Sequence, residues 1–470
     1  MTIRFLTGWN GYVAGDIATL SNEAELIAGR IARKSNIIDG PNSGAPEAAG
    51  IRYLENGRAS GIYSRRGSTI QMHPTVQRRA LRIFDARMAA THTVPAGGES
   101  FHAVFRCAAP PLRVWAILAN GSTTVTIGAG VRAAILDNDG LDLNGSGKAW
   151  PALSNGASAA VTVPVAPDPS RPSFAMTGYA DLDNTTGSTL VGVRAFISTP
   201  AVYTICGRGV DGVDANLTNW ATRKDNEVVF RNQLGDQITV PGGFTSTTNV
   251  SYTPIIGIAY LSHKNVVTVM SIGDSIEAGQ GEYINSGPVY EAIRVGGGFD
   301  NIEVASLSYS GRSSLNSALA FDDAIAAGLI PNAVVYGMSP NDVGASLVVT
   351  DTIVKDWRIR MMSFKQACVN NNIISIPRTM VPTNSPIDTP VGIHYNWGSS
   401  DKKRVDFNNE IINSNSITLD YARAVEGVLN ANGQIPFAAG MTTDTLHPNN
   451  AGNLAIAAAI RAKIPRFITP

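Results

Sequence analysis

After residue 263 the chain alternates strand-like runs, "NVVTVMSI", "NIEVASLS", "NAVVYGMS" and "NIISIPRT", with helical stretches such as "DTIVKDWRIRMMSFKQACVNNN" and "AGNLAIAAAIRAKI". Parallel strands need long crossovers, usually helices, so this alternation predicts βαβ units around a parallel sheet. The texture upstream is different. From about residue 90 to 260, short apolar or alternating runs ("FHAVFRCA", "LRVWAILA", "TTVTIGAG", "AAVTVPVA", "LVGVRAFI") are cut by Gly, Pro, Asn and Asp. That pattern predicts an antiparallel β-sandwich or jelly roll. The expected organisation is an attachment segment and linker over 1–50, a β-rich accessory domain over 51–262 and an α/β domain over 263–470.

Composition narrows the function classes. The 37 basic and 37 acidic residues cancel, and only short basic groups such as "SRR" and "DKKR" occur. Nucleic acid and anionic membranes therefore lack an electrostatic basis as partners. The three cysteines, Cys107, Cys206 and Cys368, are odd in number and widely spaced, which suggests neither a disulfide framework nor a zinc site. The opening "MTIRFLTGWNGYVAGD" lacks a secretion-signal pattern, and the chain has no apolar run long enough to span a bilayer. Within 14–34, "AGDIATLSNEAELIAGRIARK" reads as a turn followed by a short helix, and "DGPNSGAPEAAG" (39–50) as a linker. No 20–50-residue repeat and no heptad run is visible.

Four places in the α/β half carry chemistry. Ser275 lies in "GDSI", just past the first strand and at the expected start of a helix, where its hydroxyl and backbone N–H would be available. Gly311, in "SLSYSGRSS", follows the next strand; lacking a side chain, it can bring its N–H close to a substrate oxygen. Asn341, in "YGMSPNDVG", follows the third strand, and its amide could serve the same oxygen. Asp444 and His447 stand three apart in "TTDTLHPNNAG", before the last helix. Each has a plainer reading alone: a common turn, a helix cap, a loop histidine. Their joint order at strand ends is harder to assign to chance.

A serine hydroxyl needs a base to take its proton as it attacks, and a neutral imidazole suits that task near pH 7. A carboxylate on the other ring nitrogen would fix the tautomer and stabilise the imidazolium. N–H groups from Ser275 and Gly311, with the Asn341 amide, would stabilise an oxyanion. No metal or organic cofactor is required by this scheme.

These four blocks together resemble the SGNH hydrolases, the GDSL-type esterase and lipase superfamily, over roughly residues 263–470. The resemblance implies a flavodoxin-like, three-layer α/β hydrolase domain, with Ser275 as nucleophile, His447 as base and Asp444 as its acid partner. It further implies an oxyanion hole of Ser275, Gly311 and Asn341. One departure stands out. The family's third block usually reads Gly-x-Asn-Asp, whereas here Ser339 and Pro340 precede Asn341 and Gly337 lies further upstream. The shape of that loop is thereby in question.

The N-terminal segment resembles short segments near the N-termini of bacteriophage head and tail proteins. Taken whole, the chain resembles a phage tail-associated carbohydrate O-acetylesterase. That resemblance implies an acylated polysaccharide substrate, virion tail components and a possible homotrimer as partners, and a virion or extracellular place of action. A non-catalytic glycan-binding virion protein and a free-standing lipase or thioesterase are the alternatives. The remaining histidines, His73, His92, His102, His263 and His394, read as structural or surface residues. "DNDGLDLNG" (137–145) reads as a turn rather than a calcium loop, and "VGGGFD" (295–300) is no phosphate cradle.

Overall fold

The computed structural model describes most of residues 78–464; the longest stretches outside that description are 207–227, 245–252, 280–286 and 384–400. Of residues 2–73 it describes the backbone of six strands. The chain divides into two compact units, Met1–Arg78 with Ile464–Pro470, and Arg79–Lys463.

In the first unit, β1 (Thr2–Phe5), β2 (Ile17–Thr19), β3 (Ala32–Asn36), β4 (Gly50–Tyr53), β5 (Ala59–Arg66) and β6 (Thr69–His73) form an antiparallel sheet. Its order is β2-β1-β3-β4-β5-β6. The expected boundary at residue 50 thus falls inside one hydrogen-bonded sheet, since β3 pairs with β4. Of the turn and short helix expected over 14–34, strands occupy 17–19 and, at the far end, 32–36, and residues 20–31 lie outside the described ones.

The second unit opens with β7 (Ala80–Ile83), β8 (Met88–Thr93), β9 (Glu99–Arg106), β10 (Pro111–Asn120), β11 (Val125–Ile127) and β12 (Val131–Ile135). It continues with β13 (Val161–Val163), β14 (Ser173–Asp181), β15 (Leu190–Ile197), β16 (Val202–Cys206), β17 (Val228–Leu234) and β18 (Ile255–Ser262). Then come β19 (Val267–Ile272), β20 (Ile302–Ser306), β21 (Ala333–Tyr336) and β22 (Ile374–Pro377), interleaved with helices. These are α1 (Ser314–Ala326), α2 (Asp351–Asn371), α3 (Asp401–Ser414), α4 (Tyr421–Val425) and α5 (Asn450–Arg461). Side-chain caps start several of them: Ser313 on α1, Thr350 on α2 and Asn449 on α5 each accept a backbone N–H of the first turn. The left-handed Asn372 ends α2. No described helix is long and apolar enough to cross a membrane.

The main sheet runs β14-β10-β18-β7-β20-β19-β21-β22. From β20 to β22 the strands are parallel, and β10, β14 and β18 extend the sheet in antiparallel fashion. The join is β7, antiparallel to β18 and parallel to β20, with Ala305 opposite Ile83. The order β20-β19-β21-β22 is the doubly wound arrangement, with its switch point at β19.

The boundary expected at 262/263 is therefore corrected. Strands on both sides of it belong to one sheet within one compact unit. Period-two alternation reveals a strand but not the sheet it joins, which is why the sequence reading separated them.

Two cores flank the sheet. On one face, Phe321 of α1, Trp357, Phe364 and Cys368 of α2 and Phe407 and Ile411 of α3 pack on Met270, Ile272, Val334 and Tyr336. The same core takes in Ile117 and Phe174 from the antiparallel half. In a second core, Phe101 and Phe105 of β9 and Val191 and Val193 of β15 meet Val114, Ile258 and Tyr260. Strands β12, β15, β9 and β17 form the sheet that carries the first pair.

In the 137–145 segment, Asp142 accepts the N–H groups of Asn144 and Ser146 at 3.1 and 2.6 Å, and Asp137 pairs with Lys148 at 2.7 Å. Asp142 thus serves a turn, and Asp137 an ion pair. His102 is a core residue. Burial, with Arg194 beside it, pushes its ring down to about 3, and it is held to the Leu143 carbonyl at 2.8 Å.

Gly257 makes the β18–β7 contact possible, because a Cβ there would lie 2.4 Å from the Arg82 carbonyl oxygen and 2.9 Å from Ile83 Cα. Gly257→Ala should cost about 1–3 kcal/mol, as overpacking does elsewhere. Denaturant unfolding checks this, with a midpoint unchanged from wild type as the contrary result.

Candidate active site

Three loops leave the parallel strands at the same edge of the sheet. The first follows β19. Gly273 lets the chain fold back, since a Cβ there would stand 2.6 Å from Glu277 Cγ. A single helical turn follows, with the N–H of Ala278 on the Asp274 carbonyl at 3.0 Å and that of Ile276 on Asp274 Oδ1 at 3.0 Å. Ser275 rides on this turn and is 4% exposed. Among the described residues its backbone N–H has no acceptor.

Beneath the turn lies a fully buried charge cluster that the sequence reading missed. Arg378, just past β22, donates to Glu277 Oε1 at 2.6 Å and to Asp274 Oδ1 at 3.3 Å, and Ser271 donates to Glu277 Oε2 at 2.7 Å. Burial pushes the Glu277 carboxyl up, against the pull of Arg378 and Ser271. Gly337 makes room for the guanidinium: a Cβ there would lie 2.6 Å from Arg378 Cγ. An arginine directly after a buried strand was the available signal in the sequence.

The second loop follows β20. Tyr309 N–H bonds to the Gly273 carbonyl at 3.1 Å, and a turn then closes through Arg312 N–H to the Tyr309 carbonyl at 3.2 Å. Gly311 sits at the third position of that turn with φ +80°, the conformation of a type II turn that glycine adopts without strain. Its N–H also lacks an acceptor among the described residues.

The third loop, after β21, answers the question raised by Ser339 and Pro340. They start a short 3₁₀ turn, Pro340–Asp342, in which the Ser339 hydroxyl accepts the Asn341 N–H at 3.1 Å. Asn341 Nδ2 donates to the Arg312 carbonyl at 3.2 Å, leaving its second amide hydrogen for another acceptor. The neighbouring Asp342 fixes the loop in place. It accepts Ser314 N–H at 3.0 Å and Trp357 Nε1–H at 2.9 Å, takes the Ser314 hydroxyl and pairs with Arg360 at 3.0 Å.

The last loop precedes α5. Thr442 Oγ1 donates to the His447 carbonyl at 2.7 Å, and Gly452 allows the close return of the chain, since a Cβ there would approach the Met441 carbonyl oxygen to 2.5 Å. His447 Nε2 stands 2.9 Å from Ser275 Oγ, across 172 positions of sequence, and Nδ1 stands 2.5 Å from Asp444 Oδ2. Asp444 Oδ1 accepts the N–H groups of Leu446 and His447 at 2.9 and 2.7 Å. Partial burial opposes its charge. The hydrogen bonds from the His447 ring and backbone more than offset this and hold the carboxyl down at about 2.

The sequence-predicted residues thus meet at one edge of the sheet. Ser275, His447 and Asp444 form a continuous hydrogen-bonded chain, and Asn341 joins the Gly311 turn through Arg312. Such a hydroxyl–imidazole–carboxylate chain can generate a nucleophile at neutral pH.

No protein-family model and no curated protein matches this chain. Among solved structures it is similar to a GDSL-like lipase from Bacteroides thetaiotaomicron VPI-5482, at 19% identity over 42% of this chain and 88% of that one, with a TM-score of 0.32. It is also similar to an acetyl xylan esterase (18% identity, 42% of this chain, 100% of that one, TM-score 0.32) and to a lipase/acylhydrolase from Enterococcus faecalis (17% identity, 42% of this chain, 95% of that one, TM-score 0.30). At such values the likeness carries no information about substrate.

The Asp444 carboxyl titrates at about 2 when folded, against 3.8 ordinarily. Its charge therefore contributes stability fully above 3.8, and that contribution is lost as pH falls towards 2. The side chain is 49% exposed, so the contribution is small. Asp444→Asn should flatten this part of the acid-unfolding curve, and an unaltered slope would show that the carboxylate gains nothing on folding.

Proposed function

We propose that this chain is a serine esterase that removes small acyl groups, foremost O-acetyl, from a polysaccharide. The observation that carries the reading is the hydrogen-bonded chain from Ser275 Oγ through His447 to Asp444, at 2.9 and 2.5 Å. His447 Nε2 takes the hydroxyl proton as Ser275 Oγ attacks the ester carbonyl. Asp444 accepts the Nδ1 hydrogen, keeping the imidazole in the right tautomer and stabilising its cation. The N–H groups of Ser275 and Gly311 and the free amide hydrogen of Asn341 receive the oxyanion. Collapse expels the sugar alcohol with the proton held by His447. Water, activated by the same base, then releases the acid from the acyl-serine.

The depth of the site favours a compact acyl group: Ser275 and His447 are only 4% and 8% exposed. A bacterial surface glycan as the substrate, a virion tail or extracellular setting, and a trimer complete the reading. These rest on the resemblance of the N-terminal segment and of the four motif blocks.

Hydrolysis of p-nitrophenyl acetate, butyrate and octanoate by wild type and Ser275→Ala tests the proposal. Acetate should be cleaved fastest, and the variant should be inactive. A preference for octanoate would make the protein a lipase or thioesterase, and no turnover of these or of acetylated polysaccharide would leave a glycan binder. Asn341→Ala should lower kcat by about 10²–10³, the usual effect of losing one oxyanion donor, with KM little changed.

A further inference from the structure

Arg312 governs both outer donors of the site. Its N–H closes the turn that aims Gly311, and its carbonyl holds the Asn341 amide. Its own side chain is 1% exposed and is anchored at two points, the Leu307 carbonyl and the Ser170 carbonyl, the latter at 2.7 Å from Nε. Ser170 lies more than a hundred positions upstream, in the β-rich part of the chain, on a tight turn that leads into β14.

That turn is itself well fixed. Arg171 N–H returns to the Asp168 carbonyl at 2.9 Å, and Asp168 Oδ1 accepts both the N–H and the hydroxyl of Ser170, at 2.8 and 2.7 Å. It grips α1 at two places along its length. Asn316 Nδ2 donates to Ser170 Oγ at 2.8 Å, and Arg171 forms a two-point ion pair with Asp323, its Nη2 at 2.9 Å from Oδ1 and its Nε on Oδ2. Helix α1 begins directly after the Gly311–Arg312 turn, with Ser313 as its cap. The β segment therefore braces the loop from both sides, through the Arg312 guanidinium and through the helix that follows.

We infer that the Asp168–Arg171 turn is a positioning element for the oxyanion hole: Ser170 and Arg171 hold Arg312 and α1 so that Gly311 N–H and the Asn341 amide point at one oxygen. The inference rests on the esterase reading for its catalytic consequence. It assigns the β-rich segment a part in building the active site, beyond any role as a glycan-contacting module. A displacement of about 1 Å in such donors is enough to cost on the order of 10²-fold in rate.

The test combines Arg171→Ala with Asn316→Ala in the full chain and reads two quantities. The kcat for p-nitrophenyl acetate should fall about 10- to 100-fold, with KM within about twofold of wild type, because the lost interaction acts in the transition state. Amide exchange across residues 308–316 should quicken at least about tenfold while β19 keeps its protection. Should the double variant not fold, Asp323→Asn, which retains the shape of the ion pair without its charge, should give the same split in smaller measure. Unchanged kcat, a rise in KM alone, or unchanged exchange across 308–316 overturns the inference. If wild type hydrolyses no ester, the esterase reading fails by itself, and the exchange measurement then decides whether the brace exists.

Discussion

The parallel pairing of β19 with β20 on one side and β21 on the other is the constraint on which the site depends. The registers Ser271–Ser306 and Ile272–Tyr336 bring the three strands to an end at nearly the same level. Their loops must then emerge together, and at a switch point the loops on either side of the central strand diverge and leave a crevice. Ser275, Gly311 and Asn341 stand in that crevice because each follows its strand by a few residues. A slip of one residue would turn Met270, Ile272, Ala305, Val334 and Tyr336 out of the core that the helices cover, which fixes the register.

Buried charge gives the loops their rigidity. Arg378 with Glu277 and Asp274 lies beneath the Ser275 turn, Arg312 beneath the Gly311 turn, and Asp342 inside the Asn341 turn. Taking ions from water is expensive, and removing one member of a buried pair typically costs about 3–5 kcal/mol. Such groups tolerate few geometries, so each loop is held in one. Glycines at 273 and 337 are the steric counterpart, leaving space for the Glu277 and Arg378 side chains. A hydroxyl–imidazole–carboxylate chain gains from this rigidity, because donors already in place need no reorganisation as charge develops.

The antiparallel half of the main sheet is continuous with the parallel half through β7. One consequence is shared packing: Ile117 and Phe174 lie in the same core as Phe321 and Trp357. Another is that α1 lies against the segment leading into β14, so that residues 170 and 171 reach the loop of residues 309–312. The antiparallel strands and the loops that follow β19, β20 and β21 consequently belong to one compact unit, Arg79–Lys463.

Much of the site was legible in the sequence. Helices 351–371 and 450–461, the four parallel strands and the motif residues Ser275, Gly311, Asn341, Asp444 and His447 announce themselves through local patterns: apolar periodicity, caps, and short motifs at strand ends. Arg312 and Ser170 carry no such local mark, and Arg378 only its place directly after a buried strand, because their roles depend on partners far away in the chain. The membership of β7, β10, β14 and β18 in the main sheet was equally hidden. Over the α/β half, the sequence by itself determined which segments become strands and helices and which residue types stand at their ends, since those follow from interactions between near neighbours. Only the tertiary structure decided which strands share a sheet and which buried charges meet, because hydrogen-bond partners across a sheet or a core are chosen by packing, not by position in the chain.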